Sequence, residues 1–233
     1  MDLSLPSQSL LTALQRRLGY RFADSDLLRR ALTHRSAQRD HNERLEFLGD
    51  ALISMIAADA FFQRFPDADE GVLSRLRAAV VSGQSLARIA QSLELSNCLI
   101  LGESERKSGG RHRQSILADC LEALAGAVLL DASVTEAQQV VAGWLQESIE
   151  AASPNEVVDP KTRLQEWLQA RGEPLPEYSV IEVTGVHHEQ SFRVQCLLTQ
   201  FQQTTEAVGS SRRGAEKLAA ADMLEKLVDK VDD

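Results

Sequence analysis

Apolar residues recur every three to four positions from residue 7 to about 152, the spacing of helices that bury one face. Turn formers divide this stretch into predicted helices at 7–18, 25–33, 42–65, 70–81, 84–94, 115–131 and 134–151, the third stopping ahead of Pro66. SILADCLEALAGAVLLD (115–131) is apolar nearly all round and should form a central, buried helix. No convincing strand alternation interrupts the region, which reads as all-α. AASPNEVVDP (151–160) ends the pattern and reads as a short interdomain linker. DPKTRLQEWLQARG then predicts a helix capped by Asp159, with Pro160 in its first position and Gly172 at its stop. Phe192, Val194, Cys196 and Leu198 alternate with polar residues, the period-two mark of a half-buried strand at 191–199. Strands at 178–184 and, more weakly, 204–208 precede a last helix from Ser211 to about Val228. The expectation is an all-α domain at 1–152, a linker at 153–158, and a small α+β domain of order α-β-β-β-α at 159–233.

A composition of 43% hydrophobic and 25% charged residues in 233 is that of a globular chain with ample core. No apolar run approaches the roughly 20 residues that span a bilayer. The amphipathic start MDLSLPSQSLLTALQRRLGY has the form of neither a signal nor a transit peptide. Cys98, Cys120 and Cys196 are scattered without metal-ligand spacing, which fits a reducing compartment. The expected location is therefore the cytoplasm, with no membrane partner. A net charge of −9 argues, taken alone, against a nucleic-acid partner. Two basic runs qualify that average, ERKSGGRHR (105–113) and SSRRGAEK (210–217), although either by itself could be an ordinary solvated loop.

The candidate chemistry begins in HNERLEFLGDALI (41–53). At about 100° per residue, Glu43, Glu46 and Asp50 share a helix sector about 60° wide, where like charges repel. The buried helix repeats the oddity with Asp119 and Glu122 at i and i+3. Buried carboxylates are costly unless paired or bound to metal, and no Lys or Arg lies within a turn of that second pair. A divalent cation between the two helices is the simplest explanation, and all-oxygen ligation points to Mg²⁺ or Mn²⁺. The competing reading leaves Glu43 and Glu46 as exposed helix charges and has Asp119 cap or bridge another group. Phe47 falls on the carboxylate side of the wheel, away from Leu45, Leu48, Leu52 and Met55. It is either packed by a neighbouring helix or part of a subunit interface.

NERLEFLGD resembles the signature of the ribonuclease III family, and SILADCLEALAGAVLLD resembles its second acidic motif. From DPKTRLQEWLQ through GSSRRGAEKLAAADML the chain is similar to a double-stranded RNA-binding domain. This resemblance implies a homodimeric, Mg²⁺-dependent endonuclease that needs no organic cofactor. It would cut both strands of duplex RNA, leaving 5′-phosphate and 3′-hydroxyl ends with short 3′ overhangs, in precursor ribosomal and structured messenger RNAs. Glu46, Asp50, Asp119 and Glu122 match the family's metal-binding carboxylates, with Glu122 and Asp50 tied to catalysis. Glu43 and Glu70 match further acids of its catalytic cleft. Phe47 matches the aromatic that inserts into the partner subunit.

RNA contacts are expected from a mobile loop carrying Lys107 and Arg111. In the small domain they are expected from Thr162, Gln165 and Glu166 on the first helix, His187 and His188 in a strand turn, and Ser211, Arg212, Arg213 and Lys217 at the last helix. The amino end of that helix favours phosphate. Residues 159–233 nevertheless hold nine Lys and Arg against thirteen Asp and Glu, so modest affinity is expected from one copy. Two other readings stay open: a non-catalytic RNA-binding regulator, and a phosphohydrolase of small nucleotides that would leave the second domain without a task.

Overall fold

The computed structural model describes residues 5–186 and 190–228. It divides into two compact units, 1–157 and 158–233. The first holds α1 (Gln8–Leu18), α2 (Ser25–Ala31), α3 (Glu43–Arg64), α4 (Glu70–Val80), α5 (Gly83–Ser92), α6 (Glu103–Lys107), α7 (Gln114–Asp131), α8 (Val134–Ala151) and α9 (Pro154–Val157). Short 3₁₀ turns occupy Leu95–Asn97 and Gly110–His112. Side-chain oxygens of Ser7, Asp24, Asp69, Ser82 and Ser133 accept from the first backbone amides of α1, α2, α4, α5 and α8, which fixes where those helices start.

The α7 helix is the axis of this unit. Leu117, Cys120, Leu121, Ala123, Leu124, Ala125, Ala127 and Val128 are all wholly buried, as its all-round apolar sequence predicts. Each large side chain so enclosed contributes about 1.5–3 kcal/mol. α3 crosses α7 with main chains in contact. A Cβ placed on Gly49 would lie 1.7 Å from the Glu122 carbonyl oxygen, and one on Gly126 would lie 2.2 Å from that of Leu45. At the far end of α7, Asp131 accepts from the Tyr20 hydroxyl (2.8 Å) and from the amides of Ala23 (2.7 Å) and Asp24 (2.9 Å), tying the first two helices to it.

Three expectations need correction. Residues 105–113, expected as a loop, are in part helical, because α6 runs through Lys107 and a 3₁₀ turn follows Gly109, whose φ of +81° suits glycine. The predicted linker contains α9, which packs on α4. Met55 does not face the core; it is 45% exposed, on the same side of α3 as Phe47 and Phe62.

The second unit holds α10 (Pro160–Gln169), β1 (Glu177–Thr184), β2 (Ser191–Leu198), β3 (Gln203–Gly209) and α11 (Arg212–Val228). The strands form one antiparallel sheet in the order β1-β2-β3, with Val194 opposite Val180 and Ala207. A register shift between Val180 and Glu182 bends the edge strand. Leu164 and Leu168 of α10 pack with Cys196, Leu198 and the α11 residues Ala219, Ala220 and Met223. The alternation read at 192–198 is therefore the buried face of β2. No described helix is long and apolar enough to cross a membrane.

Candidate active site

The crossing of α3 and α7 decides where the acids go. Glu43 and Glu46 lie in the first turn of α3, where the helix dipole favours negative charge. With glycine at the crossing, Glu46 meets Asp119 and Glu122 of α7. One carboxylate oxygen from each of these three residues lies within 4.8 Å of the others. Among the described residues, no lysine, arginine or histidine forms an ion pair with any of the three. Asp50, one turn further along α3, is exposed and lies outside this trio, yet its charge acts on Glu122.

The charges resist one another. Burial, then Asp50, Asp119 and Glu46, push the Glu122 carboxyl up to about 7. Glu46 is raised by burial and by Asp119 and Glu43. Burial also raises Asp119, against the opposing pull of His34 and Arg35. Without a cation the trio cannot carry its full charge at neutral pH. The donor set fits a hard divalent ion: it is all oxygen, it has no cysteine or histidine, and no protein cation neutralises it.

A cleft of about 350 Å³ opens beside the trio. His34, Arg35, Ser36, Asn42, Glu43, Glu46, Glu105, Arg113, Ser115, Ile116 and Asp119 line it. Arg35 donates to Glu43 at 3.1 Å, and Arg113 lies 2.7 Å from Glu105. The other expected site residues are more dispersed. Glu70 opens α4, is exposed, accepts from the Ser74 hydroxyl at 2.7 Å and does not line the cleft. Lys107 pairs with Glu103 of its own helix at 2.6 Å. Arg111 turns to the Ser96 carbonyl at 3.0 Å, which leaves Arg113 as the cation of that run in the cleft. Phe47 is 81% exposed.

In the second unit Thr162, Gln165 and Glu166 form an exposed face of α10, opposite Leu164 and Leu168. Ser211, Arg212 and Arg213 are exposed at the start of α11, where the Ser211 hydroxyl accepts from the Gly214 amide at 3.1 Å. Glu216 is buried. It accepts from Arg212 at 2.9 Å and from Lys161 at 2.6 Å, joining α11 to α10. Lys161 in turn lies over the Tyr178 ring. His187 and His188 fall outside the described residues.

Several contributors escaped the sequence reading: Gly49 and Gly126 at the crossing, and His34, Arg35, Ser36 and Glu105 in the cleft. The glycines carried a signal, since each interrupts a strong helical run three or four residues after an acid.

This helical scaffold with an inward acidic pocket, followed by a sheet-and-helix RNA-binding fold, is matched by known proteins. Residues 24–149 match the family described as ribonuclease-III-like, and residues 160–227 match the double-stranded RNA binding motif. A structure of the nuclease domain of ribonuclease III from Campylobacter jejuni is 40% identical over 59% of this chain and 97% of its own, with a TM-score of 0.58. A second structure of that nuclease domain is 38% identical, covering 61% of this chain and 98% of its own, also with a TM-score of 0.58. The chain belongs to the ribonuclease-III-like family and carries a double-stranded RNA-binding motif behind its nuclease-like domain.

Proposed function

We propose that the protein is a double-strand-specific endoribonuclease that hydrolyses both strands of duplex RNA. The observation that carries this reading is the unneutralised trio of Glu46, Asp119 and Glu122 on a ribonuclease-III-like domain. Glu46, Asp119 and Glu122 would hold Mg²⁺, or Mn²⁺ in its place, with Asp50 beside them. When bound, such an ion supplies water activation and charge neutralisation for in-line displacement at phosphorus. In the metal-free chain, burial and the charges of Asp50, Asp119 and Glu46 raise the Glu122 carboxyl, a repulsion that such an ion would relieve. The products would be 5′-phosphate and 3′-hydroxyl ends with short 3′ overhangs. Precursor ribosomal RNA and structured messenger RNA in the cytoplasm are the substrates this reading entails.

Residues 1–152 would form the catalytic and dimerising part and 159–233 the RNA-binding part. Duplex RNA offers phosphates and 2′-hydroxyls across its minor groove rather than base edges. Exposed Thr162, Gln165, Ser211, Arg212 and Arg213 suit that surface. Phe47, Met55 and Phe62 lie on one side of α3, 81%, 45% and 70% exposed, an apolar stripe that a second copy of the chain would cover. One of the Campylobacter jejuni structures is described by flexibility in a region involved in dimer formation, which favours the same assembly here.

The test is incubation of long duplex RNA with the full chain, with and without Mg²⁺, beside Glu122→Gln. Metal-dependent cutting by the wild type and duplex binding without cutting by Glu122→Gln are expected. Duplex binding without cutting by the wild type in Mg²⁺ or Mn²⁺ would favour a regulator, and cutting of mononucleotides alone would favour a phosphohydrolase.

A further inference from the structure

One wall of the acidic cleft has no task in that reading. His34, Arg35, Ser36 and Arg113 line it beside Asp119 and Glu46. The backbone at His34 is fixed, because its amide donates to the Ile100 carbonyl at 3.0 Å, next to a bridge between Thr33 and Ile100. The Ile100 amide donates back to Leu32 at 2.9 Å.

The imidazole is fixed as well. Its Nδ1 lies 3.2 Å from the Ser36 amide nitrogen, which can only donate, so Nδ1 accepts. The Ser36 hydroxyl lies 2.8 Å from Nδ1 and accepts from the Gly102 amide at 3.0 Å, which ties the ring to the Gly102 segment. A neutral ring with an accepting Nδ1 carries its hydrogen on Nε2. Burial lowers the pKa of the ring, against the opposing pull of Glu105, Asp119 and Glu43. Gly102 is what lets the two segments meet, since a Cβ there would lie 2.2 Å from the Ser36 carbonyl oxygen.

The result is a donor of defined tautomer on a rigid mount. Among the described residues it has no hydrogen-bond partner. Its neighbours Arg35 and Arg113 rest on Glu43 and Glu105, acids outside the trio. The Arg35 pair is exposed on both sides, so it exchanges for phosphate at little cost, whereas Glu105 is only 19% exposed and holds Arg113 in place.

Building on the ribonuclease reading, we propose that the Nε2–H of His34 contacts substrate by donating to a non-bridging phosphate oxygen of the RNA strand in the cleft. Arg35 then transfers from Glu43 to an adjacent phosphate, while Arg113 stays on Glu105 and lends its charge to the cleft. Ser36 and Gly102 are positioning residues that fix the tautomer and aim of the ring.

The experiment uses the full chain, Mg²⁺ and short duplexes carrying a single phosphorothioate at each phosphate flanking the cut. His34→Phe should lower kcat/KM by about ten- to a hundred-fold, the range for a hydrogen bond to a charged oxygen. At one phosphate the wild type should be slowed by sulfur while His34→Phe is indifferent to it. His34→Gln, which returns an N–H donor, should recover part of both the rate and the sulfur sensitivity. His34→Phe cutting at the wild-type rate would overturn the inference. So would a slower His34→Phe that keeps the full pattern of sulfur sensitivity, because that marks a purely structural loss. A response moved instead by a single 2′-deoxy substitution would overturn the phosphate assignment. If the wild type cuts no duplex RNA at all, the ribonuclease reading fails, and this inference with it; a cutting wild type isolates the two.

Discussion

Lys217 Nζ lies 2.7 Å from Asp159 Oδ2, so a cation near the start of the last helix is held by the residue that caps α10. A phosphate approaching Lys217 must displace that carboxylate. Asp159→Asn keeps the cap, since Asn caps about as well as Asp, and removes the competing charge. Duplex RNA affinity of the full chain should rise, by no more than about fivefold, because such partly exposed pairs contribute up to about 1 kcal/mol. Lys217→Ala should weaken binding and flatten its logarithmic salt slope by a little under one unit. Salt titrations in which neither variant departs from wild type would separate Lys217 from RNA binding.

Glu122 predicts a pH dependence with a definite sign. Its carboxyl sits near 7 in the folded chain, above an unfolded value of 4.5. Between those values the folded state binds more protons than the unfolded one, so the metal-free protein loses stability as pH rises through this window. Glu122→Gln removes that loss. Without metal, the variant should melt above the wild type at about pH 8, and the gap should shrink toward pH 4.5. Mg²⁺ should raise the wild-type melting temperature at about pH 8, its stabilisation free energy reaching about 2.7 kcal/mol at a hundredfold excess over Kd. Parallel melting curves across pH would refute the coupling.

Gly49→Ala tests the helix crossing. Its methyl group would meet the Glu122 carbonyl with no side chain able to give way. A cost of at least about 1–3 kcal/mol is expected, together with loss of Mg²⁺ stabilisation. Gly143 in α8 is the control, with nothing within 4 Å of an added Cβ. Gly143→Ala should gain up to about 1 kcal/mol from helix propensity. Equal effects of the two substitutions in thermal melts would contradict the contact.

Phe47→Glu places a charge in the exposed stripe of α3. Sedimentation should show the wild type as a dimer and the variant shifted toward monomer, with its melting temperature at low protein concentration little changed. Identical sedimentation of both would remove Phe47 from the interface.

The longer helices were legible because their apolar spacing is a local signal, and the alternation in β2 was equally plain. The acids on α3 and α7 could be paired in advance because buried charge requires an explanation. What stayed hidden was long-range. His34 reaches the cleft only through hydrogen bonds to Ile100 and the Gly102 segment, more than sixty residues away. The burial of Glu216 was equally hidden, because its partner Lys161 lies 55 positions earlier. Met55 misled because an exposed apolar stripe looks, on a helical wheel, like one facing a core.

The contact of α3 with α7 is made by main chain on both sides. Backbone atoms cannot be swapped for rotamers or repacked, so the distance between the acids does not depend on which aliphatic residues fill the surrounding volume. Interior leucines and isoleucines can therefore drift over generations without retuning the chemistry, provided two hydrogen atoms stay where methyl groups would otherwise be.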